Sequence, residues 1–376
     1  RHASQWKYEG IFQLLFADKR FLVKILVAAD IKNKSWEHDQ RLTLEKFKNY
    51  QCEVINAFDW NCNLKNPPKD LVPDVVFFPK VIEGNDPFSI TRFHNSLNCY
   101  VPYSTYGDNN PTLQYNQIFH NLLWRHYVAT EIHFEISKEV NYIKSKNVRV
   151  SGYPGFDNYL FFNGKKLNQV SPWPNDSRKK IIWAPHHTIQ NSENNSNHSN
   201  FLLYHEFFKE ISFQFRDKVC FAFKPHPNLR LKLYGFDGWG EEKTKEYYNW
   251  WARNENTLLF EGDYEELFIK SDALIHDSVS FMAEYLCLGK PSCYLVKDES
   301  KLNRFLNKFG LSLLKYHENA LCEDDIYSFI KSIIFSRKTI KNKKEIPKFL
   351  KAKEIPSSEF IYEDIISSIF VNKKLK

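Results

Sequence analysis

The sequence predicts an α/β protein with two Rossmann-like domains, each a parallel sheet covered by helices, and a C-terminal helical segment. Apolar runs of strand length alternate with segments of helical spacing, which is the pattern of a doubly wound sheet. A chain of 376 residues is long enough for two domains with separate cores. A polar, Pro-containing stretch at 164–180 has no regular period and separates the two series.

In the first domain, apolar runs rich in β-branched and aromatic residues predict strands, and apolar residues three and four positions apart predict helices. Residues 21–29, Phe-Leu-Val-Lys-Ile-Leu-Val-Ala-Ala, are an example of such a strand, since all of them except the Lys are apolar. The predicted strands are 21–29, 52–58, 74–79, 98–102 and 148–151, and the predicted helices are 39–50, 112–127 and 135–144.

The second domain repeats the alternation with more continuous apolar strands, as expected for a sheet buried on both faces. An Asn-, Ser- and His-rich stretch at 191–200 predicts a mobile loop. The predicted strands are 181–184, 219–223, 258–260, 273–276 and 292–296, and the predicted helices are 201–215, 241–253, 264–271, 279–288 and 301–309.

The C-terminal region is basic and then helical. Eight Lys or Arg residues lie between 337 and 353. Such a segment is either solvated or attracted to anionic lipid, where each clustered Lys contributes about 1 kcal/mol. Residues 358–370 return to helical spacing and can pack on the body. The predicted divisions are a first domain at 1–163, a linker at 164–180, a second domain at 181–336, and a basic tail with a terminal helix at 337–376.

Composition narrows the class of protein. Hydrophobic residues make up 43% and aromatic residues 16%, which is a globular composition. The net charge of +7 either serves solubility or attracts anionic partners such as a nucleotide, a phosphorylated polymer or an acidic membrane face. No zinc-finger, helix-turn-helix or RNA-binding signature is present, so we expect no nucleic-acid partner.

Cysteine usage and hydropathy indicate a cytoplasmic protein. The seven cysteines form no Cys-x-x-Cys pair, and their odd number argues against a disulfide framework. The sequence has no signal peptide and no apolar run of about 18 residues, so we expect no membrane span. These features leave a peripheral position at the inner face of the cytoplasmic membrane open.

One strand of the second domain ends at residues suited to binding phosphate. The run Phe221-Ala222-Phe223 stops at Lys224-Pro225-His226-Pro227. Ligands of open α/β sheets bind at the carboxyl ends of strands. Lys224 supplies a cation, and prolines on both sides of His226 restrict the backbone and fix the direction of the imidazole. A satisfied core histidine is the structural alternative for His226.

A second strand end carries hydroxyl groups. The run 271–276 stops at Asp277-Ser278-Val279-Ser280 and is followed by a predicted helix. Ser278 and Ser280 can cap the helix or offer donors to a phosphate, and Asp277 joins this group of candidates. Glu284 lies one turn further along the helix, where it is either exposed or binds a ribose hydroxyl.

A third strand ends at Trp183-Ala184-Pro185-His186-His187, which makes His186 and His187 candidate donor-binding residues. Adjacent histidines bind a metal only with further ligands at suitable spacing, and the sequence shows none, so we expect no metal. The chain has no Asp-x-Asp motif, no phosphate-binding loop of the G-x-x-x-x-G-K type and no G-x-G-x-x-G. A P-loop ATPase is therefore disfavoured, a dinucleotide dehydrogenase is weakened, and no cofactor is expected.

At these residues the chain resembles the bacterial CDP-glycerol glycerophosphotransferases, the teichoic-acid and capsule polymerases with a GT-B fold. The resemblance covers about residues 98–300 and is strongest in the second half. The matching pieces, in family order, are Gly-Tyr-Pro at 152–154, Trp-Ala-Pro at 183–185, Lys-Pro-His-Pro at 224–227, the segment 271–280, and Leu-Gly-Lys-Pro at 288–291.

The resemblance implies a GT-B arrangement with the nucleotide held mainly by the second domain. It also implies a base in the first domain, where the family carries a His-Gly-Thr motif. The corresponding region, 100–108, contains no histidine, and Gly-Phe-Asp replaces the Arg that often follows Gly-Tyr-Pro. Asp108, His94 and His120 are the candidates for the base, with Asp108 preferred, and His226 acts on the leaving group.

The leading hypothesis is a metal-independent transferase that uses a CDP-glycerol-like donor. Its acceptor would be a bacterial surface polysaccharide, a polyol phosphate or a lipid-linked glycan. A first alternative is a glycosyltransferase with a UDP-, GDP- or CMP-linked sugar as donor. A second alternative is a non-catalytic GT-B-like binding module of a larger capsule protein.

Overall fold

The computed structural model describes residues 3–29, 36–59, 63–64, 71–82, 84, 86–161, 171–190, 198–335 and 345–370. It divides the chain into two compact units. The first unit comprises Arg1–Thr105, Asn110–Phe161 and Lys348–Lys376, and the second comprises Tyr106–Asn109 and Phe162–Pro347.

The first unit has parallel strands connected by helices. Strands β5 to β8 form a parallel sheet in sequence order, β1 and β2 form a parallel pair, and β3 and β4 form a short antiparallel pair. Its elements are α1 (Glu9–Ala17), β1 (Lys24–Val27), α2 (Trp36–Phe47), β2 (Glu53–Asn56), β3 (Phe58–Asp59), β4 (Asn63–Leu64), β5 (Val75–Phe78), β6 (Leu97–Tyr100), α3 (Pro111–Tyr115), α4 (Ile118–Leu122), β7 (Arg125–Val128), α5 (Glu131–Val140), β8 (Val148–Val150) and α6 (Asp157–Leu160), with 3₁₀ turns at Ala3–Gln5 and Pro154–Phe156.

Three helix predictions for this unit need correction. Helix α2 begins and ends three residues earlier than the predicted 39–50. The single helix predicted at 112–127 is wrong, because the chain forms α3 and α4 and then strand β7. His126, Tyr127 and Val128 are all buried, since β7 pairs with strands on both sides. A strand covered on both faces shows no polar–apolar alternation. Helix α5 begins and ends four residues earlier than the predicted 135–144.

The second unit is a six-stranded parallel sheet with helices between the strands. Its strand order is β11-β10-β9-β12-β13-β14. The elements are β9 (Lys179–Ala184), α7 (Phe201–Gln214), β10 (Val219–Phe223), α8 (Leu229–Tyr234), α9 (Gly240–Arg253), β11 (Thr257–Leu259), α10 (Glu265–Ile269), β12 (Ala273–His276), α11 (Val279–Leu286), β13 (Ser292–Leu295), α12 (Leu302–Phe305), α13 (Lys308–Leu314), β14 (Glu318–Ala320) and α14 (Glu323–Phe335), with a 3₁₀ turn at Glu299–Lys301.

Aromatic packing fixes the centre of this sheet. The Trp183 ring stacks on Phe208 at a centroid distance of 4.1 Å, and Phe223 stacks on Trp251 at 5.2 Å. All five residues of β10 are buried. Because large aromatic side chains bury 150–250 Å² each, this cluster holds the carboxyl ends of β9 and β10 in a rigid frame.

All five strands predicted for the second unit are confirmed, while one helix is corrected. The helix predicted at 301–309 is interrupted between α12 and α13. Asn307 caps α13, because its Oδ1 accepts the N–H groups of Phe309 and Gly310 at 2.9 and 3.0 Å. Strand β14 and helices α8 and α14 were not predicted.

The last helix, α15 (Ser357–Phe370), belongs to the first unit and follows a 3₁₀ turn at Lys348–Leu350. The prediction of a helix at 358–370 is confirmed. Ile361 and Ile365 are fully buried in a cluster that includes Ile11 and Tyr127. The Asp157 carboxylate accepts the first N–H groups of α15, which is favourable at the positive end of a helix dipole.

Three sequence predictions lie partly outside the described residues. They are the basic stretch at 337–344, the predicted loop at 191–197 and the predicted linker at 164–170. Among the helices of the described ranges, none is long and apolar enough to cross a membrane.

Candidate functional site

Three strand ends meet at the centre of the second sheet. Strands β10, β9 and β12 are neighbours, so their carboxyl ends share one edge. After β9, the chain adds β10 and then β11 on one side of β9. It then adds β12, β13 and β14 on the other side. The strand order therefore reverses between β9 and β12. Ligands of open α/β sheets bind in the crevice at such a switch point.

Backbone hydrogen bonds extend the pairing of β9 and β10 beyond the strands themselves. The Lys224 N–H donates to the Trp183 carbonyl at 2.8 Å, and the His226 N–H donates to the Pro185 carbonyl at 3.0 Å. The two loops that carry the predicted histidines are therefore joined. The flanking prolines limit the backbone further, so the His226 imidazole is held beside the loop that follows β9.

Asp277 is fully buried at the end of β12. Its Oδ1 accepts the His186 backbone N–H and its Oδ2 accepts the Asn200 backbone N–H, each at 2.6 Å. Burial raises the pKa of the carboxyl group to about 6, although these hydrogen bonds act in the opposite direction. Asp277 thus positions the loop after β9 and the start of α7, and the direct donor contact that the sequence predicts stays a prediction.

Four imidazole rings form a cluster at this edge. The His187 and His226 ring centroids are 4.2 Å apart, those of His186 and His226 are 4.9 Å apart, and His198 stacks on His186 at 4.6 Å. Burial lowers the pKa of His187 to about 4, and burial together with the neighbouring rings lowers the pKa of His186 well below its ordinary value. Both rings are therefore neutral near pH 7.

One hydrogen bond indicates which tautomer a neutral His226 ring adopts. The Asn228 backbone N–H donates to His226 Nδ1 at 3.1 Å. A neutral ring that accepts at Nδ1 carries its proton on Nε2. In this tautomer His226 offers an N–H donor, which suits a phosphate oxygen.

His198 was not singled out by the sequence, because it lies in the loop predicted at 191–200. Residues 198–200 are held firmly by hydrogen bonds. Ser199 Oγ donates to the His186 carbonyl at 2.8 Å, Lys297 Nζ donates to the Ser199 carbonyl at 3.0 Å, and Asn200 uses its backbone N–H on Asp277. These partners are distant in sequence, so local composition gave no signal for the ordered end of the loop.

The turn after β12 leaves a helix start open. Ser278 is the N-cap residue of α11, but its side chain makes no capping hydrogen bond. Its hydroxyl instead lies 3.1 Å from that of Ser280, and its carbonyl accepts from His276 Nδ1. The first N–H groups of a helix have no partner within the helix, so they attract anions. Ser278 and Ser280 therefore lie where a phosphate can receive both hydroxyl and amide donors.

Lys224 and Glu284 lie on the same side of the sheet, together with two aromatic rings. Lys224 is 4% exposed, and its Nζ lies 4.9 Å from the Tyr264 ring centroid and 5.6 Å from that of Phe281. The Tyr264 hydroxyl donates to Glu284 Oε2 at 2.7 Å. Glu284 is buried, which excludes the exposed side chain that was one of its two alternatives, and its contact with a ribose hydroxyl stays a prediction. Tyr264 and Phe281 were missed because an aromatic residue in an apolar helix normally indicates core packing.

A comparison with protein-family models identifies the family to which the chain belongs. The model of the CDP-glycerol:poly(glycerophosphate) glycerophosphotransferases matches residues 109–353, which is more than half of the chain. The chain belongs to this family. It is therefore a transferase enzyme, as the sequence predicted. No curated protein sequence shows significant similarity to it.

Solved structures support the two-domain fold implied by the resemblance. The MnaA–UDP structure from S. aureus has 15% sequence identity and a TM-score of 0.57, covering 100% of this chain and 95% of MnaA. UDP-GlcNAc 2-epimerase from Neisseria meningitidis, bound to UDP-GlcNAc, has 14% identity and a TM-score of 0.57, covering 97% of each chain. A structure of the wall teichoic acid polymerase TagF has 14% identity and a TM-score of 0.53, covering 99% of this chain and 96% of TagF. The likeness confirms the GT-B class of α/β fold.

In this glycerophosphotransferase family member, Asp108 lies in the second unit, although the sequence placed it in the first domain. Asp108 pairs with Leu306 in an isolated antiparallel β-bridge. Asn307 Nδ2 donates to the backbone carbonyl of Asp108 at 3.1 Å. The segment Tyr106–Asn109 is grouped with the second unit. The contacts that fix it come from residues about 200 positions away, as the Asn307–Asp108 pair shows.

The two histidine candidates for the base lie in the first unit. His94 is exposed, with Nδ1 3.1 Å from the Thr91 carbonyl. His120 is fully buried, accepts the Gln117 N–H at Nδ1, and has its pKa lowered by burial to about 4. A ring with this pKa is a weak base near neutral pH, so His120 fits the role poorly.

Proposed function

We propose that this transferase moves a glycerophosphate-type group from a CDP-linked donor to a polyol-phosphate or glycan acceptor of the bacterial envelope. The observation that carries the proposal is the position of Lys224 and the Ser278–Ser280 turn. Both follow strands of the second sheet that flank β9, at its switch point. A buried cation and an open helix start together suit the diphosphate of an activated donor.

The family description supports the choice of donor and of transferred group, because it names both CDP-glycerol and poly(glycerophosphate). In the proposed reaction, an acceptor hydroxyl attacks the phosphorus that carries the glycerol. A new P–O bond forms to the acceptor, the P–O bond to CMP breaks, and the hydroxyl proton passes to a base. Asp108 is the proposed base.

The residues of the second unit act on the leaving CMP. Negative charge grows on its phosphate as the P–O bond breaks, and Lys224 lies where it can offset that charge. His226 offers its Nε2–H to the same phosphate, while Ser278 and Ser280 hold the remaining oxygens. Asp277 contributes by fixing the His186 loop. Such positioning groups lower the barrier because they need no reorganisation during the reaction.

Thermal-shift measurements on the purified chain with CMP, CDP, CDP-glycerol, UDP, UDP-sugars and GDP test the donor. A ligand that binds only the native protein stabilises it by about 2.7 kcal/mol at one hundred times its dissociation constant. We expect selective stabilisation by the cytidine compounds, and CMP release when CDP-glycerol and a poly(glycerophosphate) acceptor are added. Selective stabilisation by uridine or guanosine compounds would instead support the nucleotide-sugar glycosyltransferase. Binding without turnover would support a non-catalytic module.

We also propose a peripheral contact with the anionic inner face of the cytoplasmic membrane. The basic residues between 337 and 353 support it, and Lys348 and Lys351 are exposed in the part of this stretch that the structure describes. Each clustered Lys adds about 1 kcal/mol near an anionic surface. We expect the chain to sediment with vesicles that contain phosphatidylglycerol and to be released at high salt. Equal sedimentation with neutral vesicles would contradict an electrostatic contact.

A further inference from the structure

We propose that His186, His187 and His226 form a binding site for a transition-metal dication such as Zn²⁺. One ring nitrogen of each residue lies within 4.8 Å of those of the other two. A search of the described residues for three or more His, Cys, Asp or Glu side chains with ligand atoms this close together finds this group. The inference goes beyond the proposed function, because metal binding needs neither donor nor acceptor.

The ligand chemistry suits zinc. Neutral imidazole is a preferred ligand of Zn²⁺, with Zn–N distances of about 2.0–2.1 Å. Tetrahedral geometry then places the ligand nitrogens about 3.4 Å apart, so nitrogens that lie within 4.8 Å of one another must approach by at most about 1.4 Å. Three protein ligands leave the fourth position open, which is the pattern of catalytic zinc sites rather than structural ones.

The rings are held by a framework that does not depend on a metal. The Asp277 carboxylate accepts the His186 backbone N–H, and the His226 backbone N–H donates to the Pro185 carbonyl. His186 Nδ1 lies 3.1 Å from Thr188 Oγ1. If that nitrogen donates to the hydroxyl, the other nitrogen of His186 carries the lone pair that a metal needs. Partners of this kind orient the ligands of metal sites.

His187 gives an independent indication of a ligand. Its Nδ1 is buried and has no hydrogen-bond partner in the structure. A buried polar atom that is left without a hydrogen bond lowers the stability of the folded protein. A metal bound at this nitrogen would remove that cost.

His226 distinguishes the metal-free state from the loaded state. In the metal-free protein its Nδ1 accepts the Asn228 N–H. Coordination through Nε2 requires a proton on Nδ1, which cannot accept that hydrogen bond. The Asn228 amide must therefore lose its partner when the metal binds, so this amide reports on coordination by His226.

The histidine cluster can bind a phosphate oxygen both without and with a metal ion. Without metal, His226 offers an N–H group, and with metal the cluster offers a dication with an open position. Both can receive a phosphate oxygen, and this consequence rests on the proposed function. Metal binding itself is measured without any nucleotide, so the two proposals can fail separately.

The test uses the full chain, treated with a chelator and titrated with Co²⁺ as a spectroscopic probe. We expect one equivalent to bind with the visible absorption of tetrahedral cobalt, without a thiolate charge-transfer band, and to be displaced by Zn²⁺. His187→Asn and His226→Asn should each weaken binding at least about 100-fold, because removing even a partner outside the coordination sphere costs 10–100-fold. His205→Asn, a half-buried histidine outside the cluster, is the matched control and should bind as the wild type does.

Amide hydrogen exchange at Asn228 completes the experiment, and we expect faster exchange in the metal-loaded chain. Thermal unfolding of both cluster variants checks that they are folded. His187→Asn removes no hydrogen bond of Nδ1, so this variant is expected to fold even if the other does not. The proposal is overturned if the wild type binds no Co²⁺ at concentrations up to about 1 mM, where only very weak binding would escape detection. Unchanged binding by the folded variants, or a thiolate band, would overturn it as well.

Discussion

Lys224→Met is expected to reduce turnover about 10²–10³-fold, because removing one donor to a developing negative charge has an effect of this size. The Lys224 Nζ lies near the Tyr264 and Phe281 rings at the end of β10. Methionine keeps the length and the apolar stem but carries no charge. The fold should remain intact, since a buried ammonium is exchanged for a thioether that needs no partner. Release of CMP from CDP-glycerol measures the effect.

Lys243→Met is the matched control, because Lys243 is an exposed lysine on α9 in the same unit. Its turnover should equal that of the wild type. The nucleotide-dependent thermal shift should also decrease in Lys224→Met and stay unchanged in the control. Equal turnover in the two variants would remove Lys224 from the site and leave the turn at Ser278 as the remaining phosphate-binding candidate.

Asp277→Asn is expected to change how the stability of the protein depends on pH. The pKa of Asp277 is raised from its ordinary value of 3.8 to about 6 by burial. The native state therefore binds the proton more tightly than the unfolded state, and stability falls as pH rises through the window from about 4 to 6. Between pH 4.5 and 7.0 the wild type should lose about 2 kcal/mol through this group. Asparagine does not titrate, so the variant lacks this loss.

Urea unfolding of both proteins at pH 4.5 and 7.0 measures the difference. The quantity compared is the free energy of unfolding of the variant minus that of the wild type, which should rise by about 2 kcal/mol between the two pH values. An exposed carboxyl in the same unit, Asp217, supplies the control variant Asp217→Asn. Parallel pH profiles for Asp277→Asn and the wild type would show that Asp277 does not titrate in this window.

The strands of the second unit could be predicted because each is a continuous apolar run that stops at polar residues. Burial on both faces produces such runs, and aromatic and β-branched residues favour the extended backbone. The phosphate-binding candidates could be predicted for the same reason. Lys224 and Ser278 directly follow buried strands, and strand ends carry the ligand sites of parallel sheets.

The first unit was harder to predict because its strands are short and carry polar residues. Strand β7 contains Arg125 and His126, which resemble the polar face of a helix when only spacing is considered. Its Arg125 binds Asp364 on α15, a residue 239 positions away. Partners on this distant helix, Asp364 and Ser368, accept the hydrogen bonds of a charged side chain in the strand. The break at Asn307, by contrast, could have been found, because Asn is a preferred N-cap residue.

The sequence by itself determined the α/β class, the strands of the second sheet and the residues at their ends. These follow from the local order of apolar and polar residues, which is set along the chain. Only the tertiary structure decided which of these strand ends lie next to each other. It brought His226 to His186 and His187, supplying the third potential metal ligand that sequence spacing did not show. It also joined Asp277 to a backbone group 91 residues away. Such contacts depend on strand order, and strand order is a property of the folded sheet rather than of any local segment.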